Sequence, residues 1–188
     1  RVLSDDGAVR ELETGSGVVT ELALDAAGAR LLVVRFEAAT FTYLTEVLEL
    51  ATGRVLFSTP SGAEVALSRD GTRLAWMVGP TIDIVVHAVD GVAEVARLPG
   101  DEMGARGLAF APDGALYFSR TLSGLHRWSP PAAPVPIALG ALGPDALRFT
   151  AAVAVVEDQH FGAHVVRLRD GAHLASVHAL VTGGFAVV

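Results

Sequence analysis

The chain has 188 residues, 51% of them hydrophobic, a formal net charge of −7 and no cysteine. That composition excludes a disordered chain and supplies a core of one domain's size, yet every apolar run stops far short of the roughly 18–20 residues a membrane-spanning helix needs. The acidic balance leaves no basic patch for a phosphate backbone or an anionic lipid surface, so neither nucleic acid nor a membrane span is expected, and the lack of thiols excludes disulfides and thiolate zinc sites.

All 14 basic residues are arginine and there is no asparagine. This is read as the codon bias of a GC-rich genome; it removes N-glycosylation and lysine Schiff-base chemistry. Arg1 is followed by no charged and then apolar leader with a small-residue cleavage site, and the chain is expected to be part of a longer polypeptide.

Taken in order, RVLSDDG and the apolar stretch 8–12 predict a strand, a turn and a strand, so residues 1–15 read as the second half of a four-stranded unit. Residues 18–59 read as a complete unit: LALDAAGARLLVV is a hairpin turning at Gly28, VLELATG ends at Gly53, and a fourth apolar stretch follows. Residues 62–98 repeat the plan, with VALSRDGTRLAWMV turning at Gly71 and VVHAVDG at Gly91. Residues 105–139 do so again, with LAFAPDGALYFS turning at Gly114 and LHRWSPP in the second hairpin. Over 145–180 the first hairpin, LRFTAAVAVVED, lacks the Asp-Gly turn, while VVRLRDG keeps the second, and GGFAVV at 183–188 is expected to open the first strand of another unit.

The turn glycines 28, 71 and 114 are 43 residues apart, and the apolar triplets 22–24, 65–67 and 108–110 keep the same step. Asp-Gly, present at Gly71 and Gly114, suits such turns because glycine accepts positive φ without a steric penalty and aspartate tolerates it. No 3.6-residue apolar period is sustained, which argues against helix even in Ala-rich ELALDAAGAR. Four antiparallel strands per unit of about 40–45 residues is the pattern of a propeller blade, whose sheet has two faces and must stack on its neighbours.

LSRDGTRLAWMV and LAFAPDGALYFSRTLSGLHRWSPP resemble the TolB-like and WD-repeat-like blades of bacterial β-propellers, although the Trp-Asp and Gly-His pairs of true WD repeats are absent. The expected fold is therefore all-β: a β-propeller of four-stranded antiparallel blades, about 4–5 of them in this chain, forming part of a larger ring.

Candidate functional residues are sparse. GDEMGAR places Asp101, Glu102 and Arg106 around Met103 in a connection between units, a contact loop for a partner or a solvated loop. EDQHFGAH offers Glu157, Asp158, His160 and His164, but three or four convergent ligands are needed for a metal, so no metal is assigned and His160 is kept as a binding residue. The Asp-Gly pairs at Asp6, Asp90 and Asp170 lack the carboxylate ladder of a calcium loop, and Glu46 and Glu49 fall on opposite faces of a strand. There is no Gly-x-Ser-x-Gly, and ETGSGVV has no lysine and leads into a strand. The reading is a non-catalytic interaction or sensing module without cofactor, presenting its loop face to a protein partner or to an adjoining domain. Self-association through open propeller ends is a further partner reading. The alternative is a propeller enzyme of metal-dependent lactonase or esterase type, or the non-catalytic domain of a serine peptidase; fold precedent alone supports it. No compartment is assigned beyond favouring cytoplasmic over periplasmic.

Overall fold

The glycine-marked turns and short Val- and Leu-rich runs organise the chain as strands throughout. The computed structural model describes residues 2–3, 9–10, 16–60, 64–79, 82–91, 93–100, 105–120, 124–137, 144–149, 153–158, 162–168, 172–179 and 185–187. Strands β1 (Val2–Leu3) and β2 (Val9–Arg10) form a two-stranded sheet. The first four-stranded sheet holds β3 (Val18–Leu24), β4 (Arg30–Glu37), β5 (Thr42–Glu49) and β6 (Val55–Thr59), in that order. The second holds β7 (Val65–Leu67), β8 (Arg73–Val78), β9 (Asp83–Ala88) and β10 (Glu94–Leu98), and the third β11 (Ala105–Phe110), β12 (Leu116–Arg120), β13 (Gly124–Trp128) and β14 (Val135–Pro136). The fourth holds β15 (Pro144–Phe149), β16 (Val153–Asp158), β17 (Gly162–Arg167), β18 (His173–Ala179) and β19 (Phe185–Val187). Every neighbouring pair is antiparallel, and no helix occurs among the described residues.

One expectation is corrected. Phe185–Val187 does not open a further unit but pairs with β18, Val177 opposite Val187 and Ala179 opposite Phe185, as the fifth strand of the fourth sheet. An edge strand offers a row of unpaired N–H and C=O groups, and a short returning segment satisfies them.

Sheets are held face to face by side chains that alternate along each strand. Leu74 and Trp76 of β8 and Val85 of β9 point to the first sheet and meet Leu32, Val34, Val47 and Phe57. Ala75, Ile84 and Val86, one residue out of phase, point the other way and meet Leu108, Leu116, Phe118 and Trp128 of the third sheet. Tyr117 and Leu125 in turn meet Ala154, Val156 and Val166 of the fourth. Each inner sheet is thus apolar on both faces, and inner strand β11 lies close to both β7 and β15.

The first sheet differs at its inner edge. Positions 22, 65 and 108 correspond, yet Leu22 is 60% exposed while Val65 and Leu108 are 5% and 8% exposed. Leu22 and Leu24 pair with Val33 and Leu31 and so share their face, the one turned away from the second sheet.

Leu74→Ala is expected to lower unfolding free energy by about 2–5 kcal/mol, as a buried Leu truncation does, and Leu22→Ala by only about 0.5 kcal/mol. Urea unfolding of the two variants measures the contrast.

Candidate functional site

Three of the hairpin turns share one glycine-closed geometry, the third being one residue shorter: Leu24 pairs with Leu31 and Leu67 with Leu74, but Phe110 with Leu116. Gly28, Gly71 and Gly114 have φ of 65°, 70° and 81°. Their amides donate to the carbonyls of Asp25, Ser68 and Ala111 at 3.1, 2.8 and 2.9 Å. The left-handed backbone is what lets each turn close, and only glycine adopts it without strain. Side chains reinforce the closure. Asp25 Oδ1 accepts from the amides of Ala29 and Arg30 at 2.7 and 3.1 Å, and Ser68 Oγ accepts from the Arg73 amide at 2.8 Å. In the third turn Asp113 Oδ1 accepts from the Ala115 amide at 3.0 Å and Oδ2 from Arg127 at 2.8 Å.

Charges then link one turn to the next. From the first sheet, Arg30 Nη1 donates to the Gly71 carbonyl at 2.6 Å and Nη2 to Asp90 Oδ2 at 2.8 Å, both in the second sheet's turns. The Ala26 amide adds a bond to the Arg69 carbonyl at 2.7 Å. Forty-three residues after Arg30, Arg73 reaches the third sheet, its guanidinium over the Phe110 ring and its Nη2 against the face of Gly114 where a Cβ would stand. Between these turns lies a cavity of about 310 Å³ lined by Arg69, Asp70, Arg73, Pro112, Asp113 and Gly114.

The electrostatics of the cavity follow from its bonds. Partial burial by itself would raise the carboxyl of Asp113, but Arg127 and the Ala115 amide outweigh it and hold the group below the usual carboxylate range. For Asp70 the same burial is outweighed by the Ser68 hydroxyl, the Thr72 amide and hydroxyl, and the Arg73 charge. Both carboxylates are ionised at neutral pH and engaged in their own turns.

A second concavity, of about 580 Å³, opens on the outer rim between β10 and the β13–β14 connection, lined by Val95, Arg97, Leu98, Trp128, Pro131 and Pro134. Its arginine is already partnered, with Arg97 paired to Glu94 at 2.6 Å and to Asp83 at 3.0 Å.

Of the residues singled out from the sequence, Asp101, Glu102 and His160 lie outside the described residues, as does the side chain of Arg106, whose backbone pairs with Ser119 on β11. His164 is buried on β17 and shares a 2.8 Å hydrogen bond with Ser176 Oγ. Glu46 accepts from Arg35 at 2.8 Å, and Glu49 faces Thr52 and Arg54, so the two carboxylates have separate partners. Among the described residues no three His, Asp or Glu are grouped to hold a metal ion. The Arg30 and Arg73 turn contacts were missed; their signal was the 43-residue interval between the two arginines, the same as that of the glycines.

No protein-family model matches the chain, and no curated protein does. Solved structures match in fold. "Crystal structure of RRP9 WD40 repeats" is 16% identical with a TM-score of 0.65, over 90% of this chain and 54% of that one. "Structure of U3-55K" is 15% identical with a TM-score of 0.66, over 91% and 55%. A chain of "Crystal Structure of Mitotic Checkpoint Complex" is 14% identical with a TM-score of 0.65, over 98% and 65%. The chain thus spans between about half and two thirds of the length of these neighbours. Its four stacked sheets are a partial propeller of WD-repeat-like architecture.

Two outcomes test the turns. Gly28→Ala, with open space around its Cβ, should cost about 1 kcal/mol for the left-handed backbone alone. Gly71→Ala should cost more, because its Cβ would lie 2.7 Å from Arg30 Cδ and 2.8 Å from Asp25 Oδ2. Asp113 has a folded pKa below its unfolded value, so its contribution is present above the ordinary carboxylate pKa and is lost as pH falls through the folded one. Chemical denaturation from pH 7 down to 3 should show Asp113→Asn losing less stability than the parent.

Proposed function

We propose that these residues form a non-catalytic interaction module, part of a larger propeller of the WD-repeat-like or TolB-like kind. It presents its turns and loops to a protein partner or to another domain of a longer polypeptide. The observation that carries the reading is where the charged groups go. Asp25, Asp70 and Asp113 close turns, Arg30 joins two sheets, and Arg35 and Glu46 pair within one, whereas a reactive centre needs such groups to converge on one point. The likeness to WD40 propellers, one of them from a mitotic checkpoint complex, is compatible with the same use.

Strand ends support placing the contact residues together. Asp158, at the end of β16, pairs with Pro144, at the start of β15, so the connection carrying His160 leaves its sheet at the end where the inner strand begins. Residues Asp101 and Glu102 precede the start of inner strand β11, and Arg106 is its second residue. These four are proposed as contacts on one propeller face. Further blades are proposed to cover the exposed inner edge of β3, since the corresponding positions in the second and third sheets are covered by the preceding sheet.

The test is affinity purification of the native polypeptide, with and without the paired substitutions Asp101→Arg and Glu102→Arg. The proposal expects a specific protein to co-purify with the parent and to fall at least tenfold with the variant, at unchanged thermal stability. Turnover of an ester or lactone by the purified protein, abolished by one loop substitution, would overturn it.

A further inference from the structure

The arginine contact between successive turns is complete in one copy and incomplete in the next. Strand register shows which positions correspond: Leu31, Leu74 and Leu116 face Leu48, His87 and Trp128, each directly following the end of its turn. Asp90, three residues past His87, therefore corresponds to Pro131, three residues past Trp128. In the first copy Arg30 holds both the Gly71 carbonyl and the Asp90 carboxylate. In the second, Arg73 lies against Gly114 as Arg30 lies against Gly71, but the turn that should supply the carboxylate supplies proline.

Arg73 is oriented all the same. Its guanidinium is 5.4 Å from the centroid of Phe110 and lies against the bare face of Gly114. Among the described residues neither its guanidinium nor that of Arg69 has a hydrogen-bond partner. The carboxylates beside them are taken, Asp70 by Ser68 and Thr72 and Asp113 by Ala115 and Arg127. Asp70 still offsets part of the Arg73 charge, so a simple anion drawn by net charge gains little there. A planar carboxylate gains more, because a guanidinium fork can hold both of its oxygens. The cavity, about 310 Å³, lies at the small end of the range for ligand sites and suits one side chain.

We propose that the cavity bounded by Arg69, Arg73 and Gly114 receives the carboxylate of an Asp or Glu side chain from a protein partner, seated on Arg73 as Asp90 is seated on Arg30. That the carboxylate belongs to a protein rests on the interaction-module reading; the preference for a carboxylate rests on the Arg30–Asp90 pair alone.

The experiment is NMR of the arginine Nε–H groups in the full chain, titrated with N-acetyl-glutamate at constant ionic strength, with N-acetyl-glutamine as control. The Arg73 resonance should shift saturably with N-acetyl-glutamate and at least fivefold less with N-acetyl-glutamine. Arg73→Lys, which keeps the charge but loses the fork, should abolish the saturable response at Arg69. Asp90→Ala should make Arg30 respond as a second site, and this arm decides the matter should the lysine variant not fold. A linear response without discrimination between the two probes overturns the proposal, as does an unresponsive Arg30 in Asp90→Ala. Neither failure touches co-purification of a partner through the opposite face, so the two readings fail separately.

Discussion

A four-stranded sheet built from alternating Val, Leu, Ile and Phe has two faces to keep from water, and no single sheet of this chain can do that for itself. Leu74 and Trp76 need the first sheet, while Ala75, Ile84 and Val86 need the third. At roughly 25 cal/mol for each Å² of apolar surface buried, interfaces of this kind supply most of the driving force for the fold. Everything else follows from the stacking: the spacing of turns along the rim, the proximity of the inner strands, and the consequence that an inner edge without a neighbour exposes apolar side chains such as Leu22 and Leu24.

Stacking alone would leave neighbouring sheets free to slide, because aliphatic contact is not directional. The rim contacts supply direction. Arg30 binds a backbone carbonyl and a carboxylate of the next sheet, and the Ala26 amide binds a third acceptor there, the Arg69 carbonyl. Hydrogen bonds require distance and angle, so together they fix one register between first and second sheets. The glycine beneath each arginine connects this tertiary contact to local sequence. A residue chosen for its left-handed backbone also clears the space into which the preceding sheet's side chain descends.

The sheet plan was legible in the sequence because glycine position and apolar triplets recur without insertion across three units, a signal that survives wherever the rest of the repeat diverges. Phe185–Val187 was misplaced because a three-residue apolar strand carries no mark of which edge it joins; hydrogen-bonding opportunity at β18 settled that, and sequence does not display it. The pairing of His164 was invisible for a similar reason, since its partner Ser176 lies on the neighbouring strand and nothing local announces it. The Arg73 cavity has no local signature in the sequence. It is defined by a carboxylate that the third sheet does not provide, and a vacancy of that kind can be read only against the filled copy in the same chain.

The central claim is that these sheets belong to a stack that continues beyond β3. Hydroxyl-radical footprinting of the native polypeptide tests it most directly, with Phe41, 83% exposed, as the reactive standard and Leu32, fully buried, as the protected one. Continued stacking predicts that Leu22 and Leu24 are protected, close to the level of Leu32. Modification of both leucines at a rate approaching that of Phe41 would contradict it and leave the first sheet as a true end of the stack.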